Sequence, residues 1–160
     1  MAFEATQKLI AAGHAVKGLV LIDSPSPINH QALPKEIIAK ISQTRNSQTS
    51  QVEDVGAKIK REFEYCASLL EKYEPKYIPA HGNRFKTIYL QSCDLFNTQK
   101  ICGVQYDWLS SQDSRDSAIT AWEGLVGGNL EVLPIPGNHF DAFLPDNVST
   151  PYFVHPWRCY

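Results

Sequence analysis

Gly18-Leu19-Val20-Leu21-Ile22-Asp23-Ser24-Pro25-Ser26-Pro27 is the stretch on which the fold turns. Leu19 to Ile22 form an unbroken apolar run, which predicts a strand buried on both faces, as in a parallel sheet. Pro25 and Pro27 close the strand at once, leaving Asp23 at its carboxyl end. Just ahead lie Ala2 to Ala12, rich in helix formers, with Phe3, Leu9 and Ile10 able to share an apolar side and Gly13 ending the helix. Helix, glycine turn and strand make half of a βαβ unit. No N-cap residue precedes Ala2, so the helix reads as cut at its front, with an earlier strand missing.

Downstream the alternation continues. Lys86 to Ser92 reads as a second strand ending at Cys93-Asp94, Ser117 to Leu125 as a helix stopped by Gly127-Gly128, and Leu130 to Ile135 as a third strand. The third strand runs into Pro136-Gly137-Asn138-His139-Phe140. Between the first two strands, residues 28–79 form a helical insertion. Pro34 opens a helix over 35–41, residues 42–51 are a polar loop, and a longer helix over 52–73 carries Val55, Ile59, Phe63, Cys66 and Leu70 as a stripe. Such a stripe suits a core or the cover of a substrate cleft. Residues 1–148 make one domain and residues 149–160 a tail.

Composition bounds the rest. The chain has 160 residues, 43% hydrophobic and 20% charged, with a net charge of −2, as expected of one globular domain. No Lys/Arg cluster interleaves with aromatics, which argues against nucleic acid. The apolar runs are too short to span a bilayer, and no secretory signal pattern opens the chain. Cys66, Cys93, Cys102 and Cys159 lack metal-type spacing and read as reduced thiols, which suits a cytoplasmic protein. The five histidines are scattered; His14 and His30 read as exposed, and His81 and His155 fall in a turn and the tail.

Three polar residues sit at carboxyl ends of strands, where open α/β sheets bind their ligands: Asp23, Asp94 and His139. A histidine in a Gly-Asn-His loop projects its ring above the sheet. An aspartate at another strand end can accept its Nδ1–H and stabilise the imidazolium. Each has a plainer reading: either aspartate can bond its own turn, and His139 can be a packed loop residue. A third reading makes Asp23 and Asp94 metal ligands, although no further ligands accompany them.

Ala2-Phe3-Glu4-Ala5, Leu21-Ile22-Asp23-Ser24-Pro25 and Ile135-Pro136-Gly137-Asn138-His139-Phe140 together resemble the thioesterase/Claisen-cyclase domains of fungal non-reducing polyketide synthases, within the α/β-hydrolase superfamily. The resemblance runs from residue 2 to about residue 148. It implies an incomplete α/β-hydrolase fold: the C-terminal half of a mostly parallel sheet with residues 28–79 as a helical lid. It also implies Asp23 as catalytic acid and His139 as catalytic base, with Asp94 the reserve acid at the position many other α/β-hydrolases use. The substrate would be an acyl or polyketide chain, held as a phosphopantetheine thioester on an acyl carrier domain, with no bound cofactor. One part of the pattern is missing. The family's serine sits in a Gly-x-Ser-x-Gly elbow, and that motif occurs nowhere in these 160 residues. The resemblance therefore implies a truncated thioesterase domain, inactive alone. The competing expectation is a non-catalytic module that binds an acyl chain or a carrier domain.

Overall fold

Strand β1, Gly18–Ile22, follows helix α1, Ala2–Ala11, across a turn in which Gly13 adopts a φ of 83°. The insertion supplies α2, Lys35–Asn46, and α3, Val52–Leu70. Strand β2 is Lys86–Ser92, followed by the short helices α4, Thr98–Cys102, and α5, Asp107–Ser110. Helix α6, Gln112–Leu125, leads to strand β3, Leu130–Ile135, and α7, Pro145–Val148, lies beyond the His139 loop. This is a computed structural model, and it describes residues 2–46, 52–78 and 85–148. The 149–160 tail, His81, His155, Cys159, residues 47–51 of the polar loop expected at 42–51 and the side chains of Val55 and Ile59 lie outside the described residues.

The three strands are parallel, in the order β1-β2-β3. The register sets Leu19 beside Thr87 and Leu21 beside Tyr89, so these side chains share a face. Strands β1 and β2 approach closely at their start: a Cβ on Gly18 would stand 2.7 Å from the Lys86 carbonyl oxygen, so only glycine fits. All three strands aim their carboxyl ends at one rim, the arrangement of a partial α/β fold.

One face of this sheet carries the core. Phe3 of α1 and Trp122 of α6 meet edge to face, 5.3 Å between ring centroids, over Leu19, Leu21 and Tyr89, with Leu125, Val126 and Ile78 completing the cluster. Burying each leucine contributes about 2 kcal/mol. The opposite face departs from expectation: Val20 is 53% and Ile22 47% exposed. The apolar run predicted burial on both faces, but α1 and α6 both pack on the Leu19/Leu21 side, and β1 alternates exposed and buried.

Two helices run longer than their sequences suggest. Helix α2 continues through Asn46 rather than stopping near Ile41, and α6 begins at Gln112, five residues before Ser117. A second apolar cluster joins Ile37 of α2 to Tyr106 and Leu109 around α5, which ties the insertion to the end of the sheet. The insertion's return is tied to α1, where the Tyr73 hydroxyl donates to Glu4 at 2.9 Å.

Candidate active site

Asp23 takes the first position beyond β1. Its backbone is left-handed, φ 39°, a conformation that aspartate tolerates better than most residues. Its N–H still reaches the Leu90 carbonyl of β2, at 2.7 Å. The next carbonyl, of Ser24, accepts from the Tyr89 hydroxyl at 2.9 Å and from the Trp122 indole at 3.1 Å. Two core side chains therefore fix the turn from beneath and turn the Asp23 side chain inward, where it is 3% exposed.

His139 hangs from the end of β3 in a loop built on Gly137 and Asp141. Gly137 has φ 80°, and a Cβ there would collide with the Asp141 carboxylate and stand 2.6 Å from the Asn147 amide nitrogen. The space belongs to Asp141, whose carboxylate accepts from both the backbone and the side-chain amide of Asn138, each at 2.6 Å. Asn138 in turn accepts from the Phe140 N–H at 2.9 Å. The loop closes on itself and leaves the imidazole projecting over the rim. Trp108 of α5 and Phe140 meet the ring edge-on from two sides, each with centroids 4.9 Å away.

The two residues meet. His139 Nδ1 lies 3.0 Å from Asp23 Oδ2. The same carboxylate accepts from the Ser92 hydroxyl at 2.7 Å, from the Ser92 N–H at 3.1 Å, and from the guanidinium of Arg115 on α6, which is itself buried. Burial pushes the Asp23 carboxyl upward, but the hydrogen bonds from His139 and Ser92 and the charge of Arg115 outweigh it. The carboxyl is held below the usual carboxylate range.

Asp94 is placed differently. Its side chain is exposed and its backbone does the work: its N–H donates to the Gly137 carbonyl at 3.0 Å, and its carbonyl accepts from Arg115 at 3.4 Å. Asp23, not Asp94, faces the imidazole. Among the described residues no group of three or more His, Cys, Asp or Glu side chains could hold a metal ion. Cys66, Cys93 and Cys102 are thiols rather than disulfides. His30 is half-buried rather than exposed, and burial lowers its imidazole from the ordinary range.

The His139 side chain, 31% exposed, opens on a cavity of about 930 Å³ between the rim and the insertion. Leu33, Ile38, Phe63, Leu70 and Trp108 are among its walls, so Phe63, Cys66 and Leu70 of the α3 stripe border the cavity. Ser92, Arg115, Trp108 and Asp141 escaped the sequence reading. Asp141 leaves a faint signal as an Asx partner three residues after Asn138; Arg115 leaves none, because a lone arginine in a polar helix start looks solvated.

No family model matches the chain. It is 31% identical to an orsellinic acid synthase of Beauveria bassiana over 93% of this chain and 8% of that protein. It is 30% identical to the orsellinic acid synthase of Armillaria mellea over 88% of this chain and 6% of that protein. A non-reducing polyketide synthase of Pseudevernia furfuracea matches 93% of this chain at 22% identity. The chain is a relative of the non-reducing polyketide synthases. It spans less than a tenth of their length. Solved structures give the fold. The NocB thioesterase domain superposes with a TM-score of 0.59 at 20% identity, covering 92% of this chain and 55% of that one. The surfactin thioesterase domain gives 0.53 at 18% identity over 98% and 62%. The chain thus shares part of the α/β fold of these two thioesterase domains. Among the described residues no helix is long and apolar enough to cross a membrane.

Proposed function

We propose that this chain carries the acid–histidine side of a polyketide-synthase thioesterase site, which releases an acyl or polyketide chain from the phosphopantetheine arm of an acyl carrier domain. The observation that carries the reading is the Asp23–His139 pair at the strand ends, opening on an apolar cavity large enough for an acyl chain. With Asp23 ionised, His139 Nδ1 donates to it and the Nε2 lone pair is left for a hydroxyl proton. A serine so activated attacks the thioester carbonyl, the carrier thiol departs with a proton from His139, and an acyl-enzyme remains. His139 then deprotonates water for hydrolysis, or a substrate carbon whose carbanion closes a ring. Insertion side chains such as Phe63 and Leu70 line the cavity, and how far they keep water from the acyl-enzyme decides between hydrolysis and ring closure.

The nucleophile belongs to a Gly-x-Ser-x-Gly segment that these 160 residues do not contain. The chain alone is accordingly expected to hydrolyse a short acyl-pantetheine thioester no faster than its His139→Ala variant. Turnover by the chain that depends on His139 would contradict the assignment of the nucleophile to another segment.

A second reading, an acyl- or carrier-binding module without turnover, is favoured by the same cavity, whose walls are mostly insertion side chains independent of the pair. Binding of a fluorescent acyl-pantetheine probe, unchanged by His139→Ala and accompanied by no transfer when a nucleophile segment is supplied, is the result that selects it.

A further inference from the structure

Arg115 is a buried cation that the acid–base reading leaves without a role. It is 3% exposed, and a charge in such a place persists only when its partners compensate it. Its Nη2 donates to Asp23 Oδ1 and to Ser92 Oγ, while Nη1 donates to the Ser92 carbonyl at 2.9 Å and the Asp94 carbonyl at 3.4 Å. One guanidinium thus binds the end of β1 to the end of β2. Through Asp94, whose N–H holds the Gly137 carbonyl, it also braces the loop that carries His139.

We propose that Arg115, acting with Ser92, is a positioning residue that locks the Asp23 carboxylate in one orientation and so decides which ring nitrogen of His139 carries the proton. The inference rests on the reading of His139 as a base, since only a base needs a defined tautomer. Oδ1 of Asp23 is taken by Arg115 and the Ser92 N–H, which leaves Oδ2 to the Ser92 hydroxyl and to His139 Nδ1. An ionised carboxylate only accepts, so Nδ1 must donate and Nε2 keeps its lone pair toward the cavity. Without the guanidinium the Asp23 carboxylate loses its charged partner on Oδ1 and is free to turn from the imidazole, so the Nδ1–H loses its fixed acceptor and the ring proton can pass to Nε2. The base would then be blocked although every atom of the pair remained.

The groups facing the carboxylate support this assignment. His139 comes from the loop after β3, Arg115 from α6, and Ser92 and Tyr89 from β2. The Tyr89 hydroxyl donates to the Ser24 carbonyl, and burial pushes it well above its ordinary range, so it supplies no charge. The guanidinium addresses the Asp23 carboxylate, the Ser92 hydroxyl and two carbonyls together, and sets its charge against the carboxylate.

Nitrogen NMR of the His139 ring in the full chain, in mildly alkaline solution, reads the tautomer directly. The parent should show a single Nδ1–H form. Arg115→Met should shift the ring to a mixture with a substantial Nε2–H form and raise the Asp23 carboxyl titration followed by carbon NMR, and Arg115→Lys should restore the parent tautomer. Ser92→Ala keeps the buried cation and should move both readouts in the same direction, so it decides the matter if Arg115→Met does not fold. Folded variants that retain the parent tautomer and the parent Asp23 titration would overturn the proposal. These readouts need no acyl transfer, so the positioning role and the thioesterase reading can fail separately.

Discussion

Asp23 Oδ2 and His139 Nδ1 lie 3.0 Å apart, although 116 residues separate them in the chain. Each residue ends or follows a different outer strand of the three-stranded sheet, and β2, through Ser92, supplies the groups that hold the acid between them. Parallel strands bring their carboxyl ends to one rim, so residues remote in sequence converge there without further instruction.

Asp23→Asn tests the inner half of this cluster. The amide keeps the size of the carboxylate but leaves the Arg115 charge uncompensated in the interior. Breaking a buried pair in this way costs about 3 kcal/mol or more. Urea unfolding should show a midpoint well below that of the parent with an unchanged slope. A midpoint equal to the parent's would mean that the ion pair contributes nothing to the fold.

Acid should unfold the chain through the same residue. Asp23 is held below the ordinary carboxylate range, so its folded value lies beneath the unfolded value of about 3.9. Stability from its ionised form is complete above that unfolded value and is lost as pH falls through the folded one. Thermal unfolding followed from about pH 6 downward should show melting temperatures that fall increasingly below about pH 5. Asp23→Asn should lack that part of the fall.

Gly137→Ala should disturb the His139 loop. The substitution forces a side chain into a φ of 80° and onto Asp141 and Asn147. The backbone strain alone costs about 1–2 kcal/mol, with the displacement of Asp141 added. Calorimetry should show a lowered melting temperature, and the His139 ring resonances should shift while those of Trp122 in the core stay in place. A variant as stable as the parent with an unmoved His139 would show that the loop tolerates a Cβ.

Sequence reading reached the strands and the two outer members of the site because both depend on local pattern. Apolar runs end abruptly at Asp23 and at Pro136, and polar residues stationed there stand out. Arg115 and Ser92 do not stand out. The expected helix starts at Ser117, yet α6 begins at Gln112, with the Arg115 guanidinium anchored on Asp23. Here a tertiary contact decides the helix start, which local propensity does not show. The exposed Val20 and Ile22 make the converse point: an apolar run specifies a strand, but which faces are covered depends on where α1 and α6 pack. The spacing of Phe63, Cys66 and Leu70 likewise showed one side of a helix, and only the fold shows that this side borders the cavity.

The most direct test supplies what the site lacks. A strand and Gly-x-Ser-x-Gly turn leading directly into α1 are joined ahead of Ala2, and release of an acyl group from a phosphopantetheine carrier is timed for this fusion and for its His139→Ala variant. The account predicts release by the fusion and a loss of about 10³-fold or more in the variant, the scale at which a member of such a triad acts. A fusion that forms its acyl-enzyme and releases product equally fast without the imidazole would contradict it.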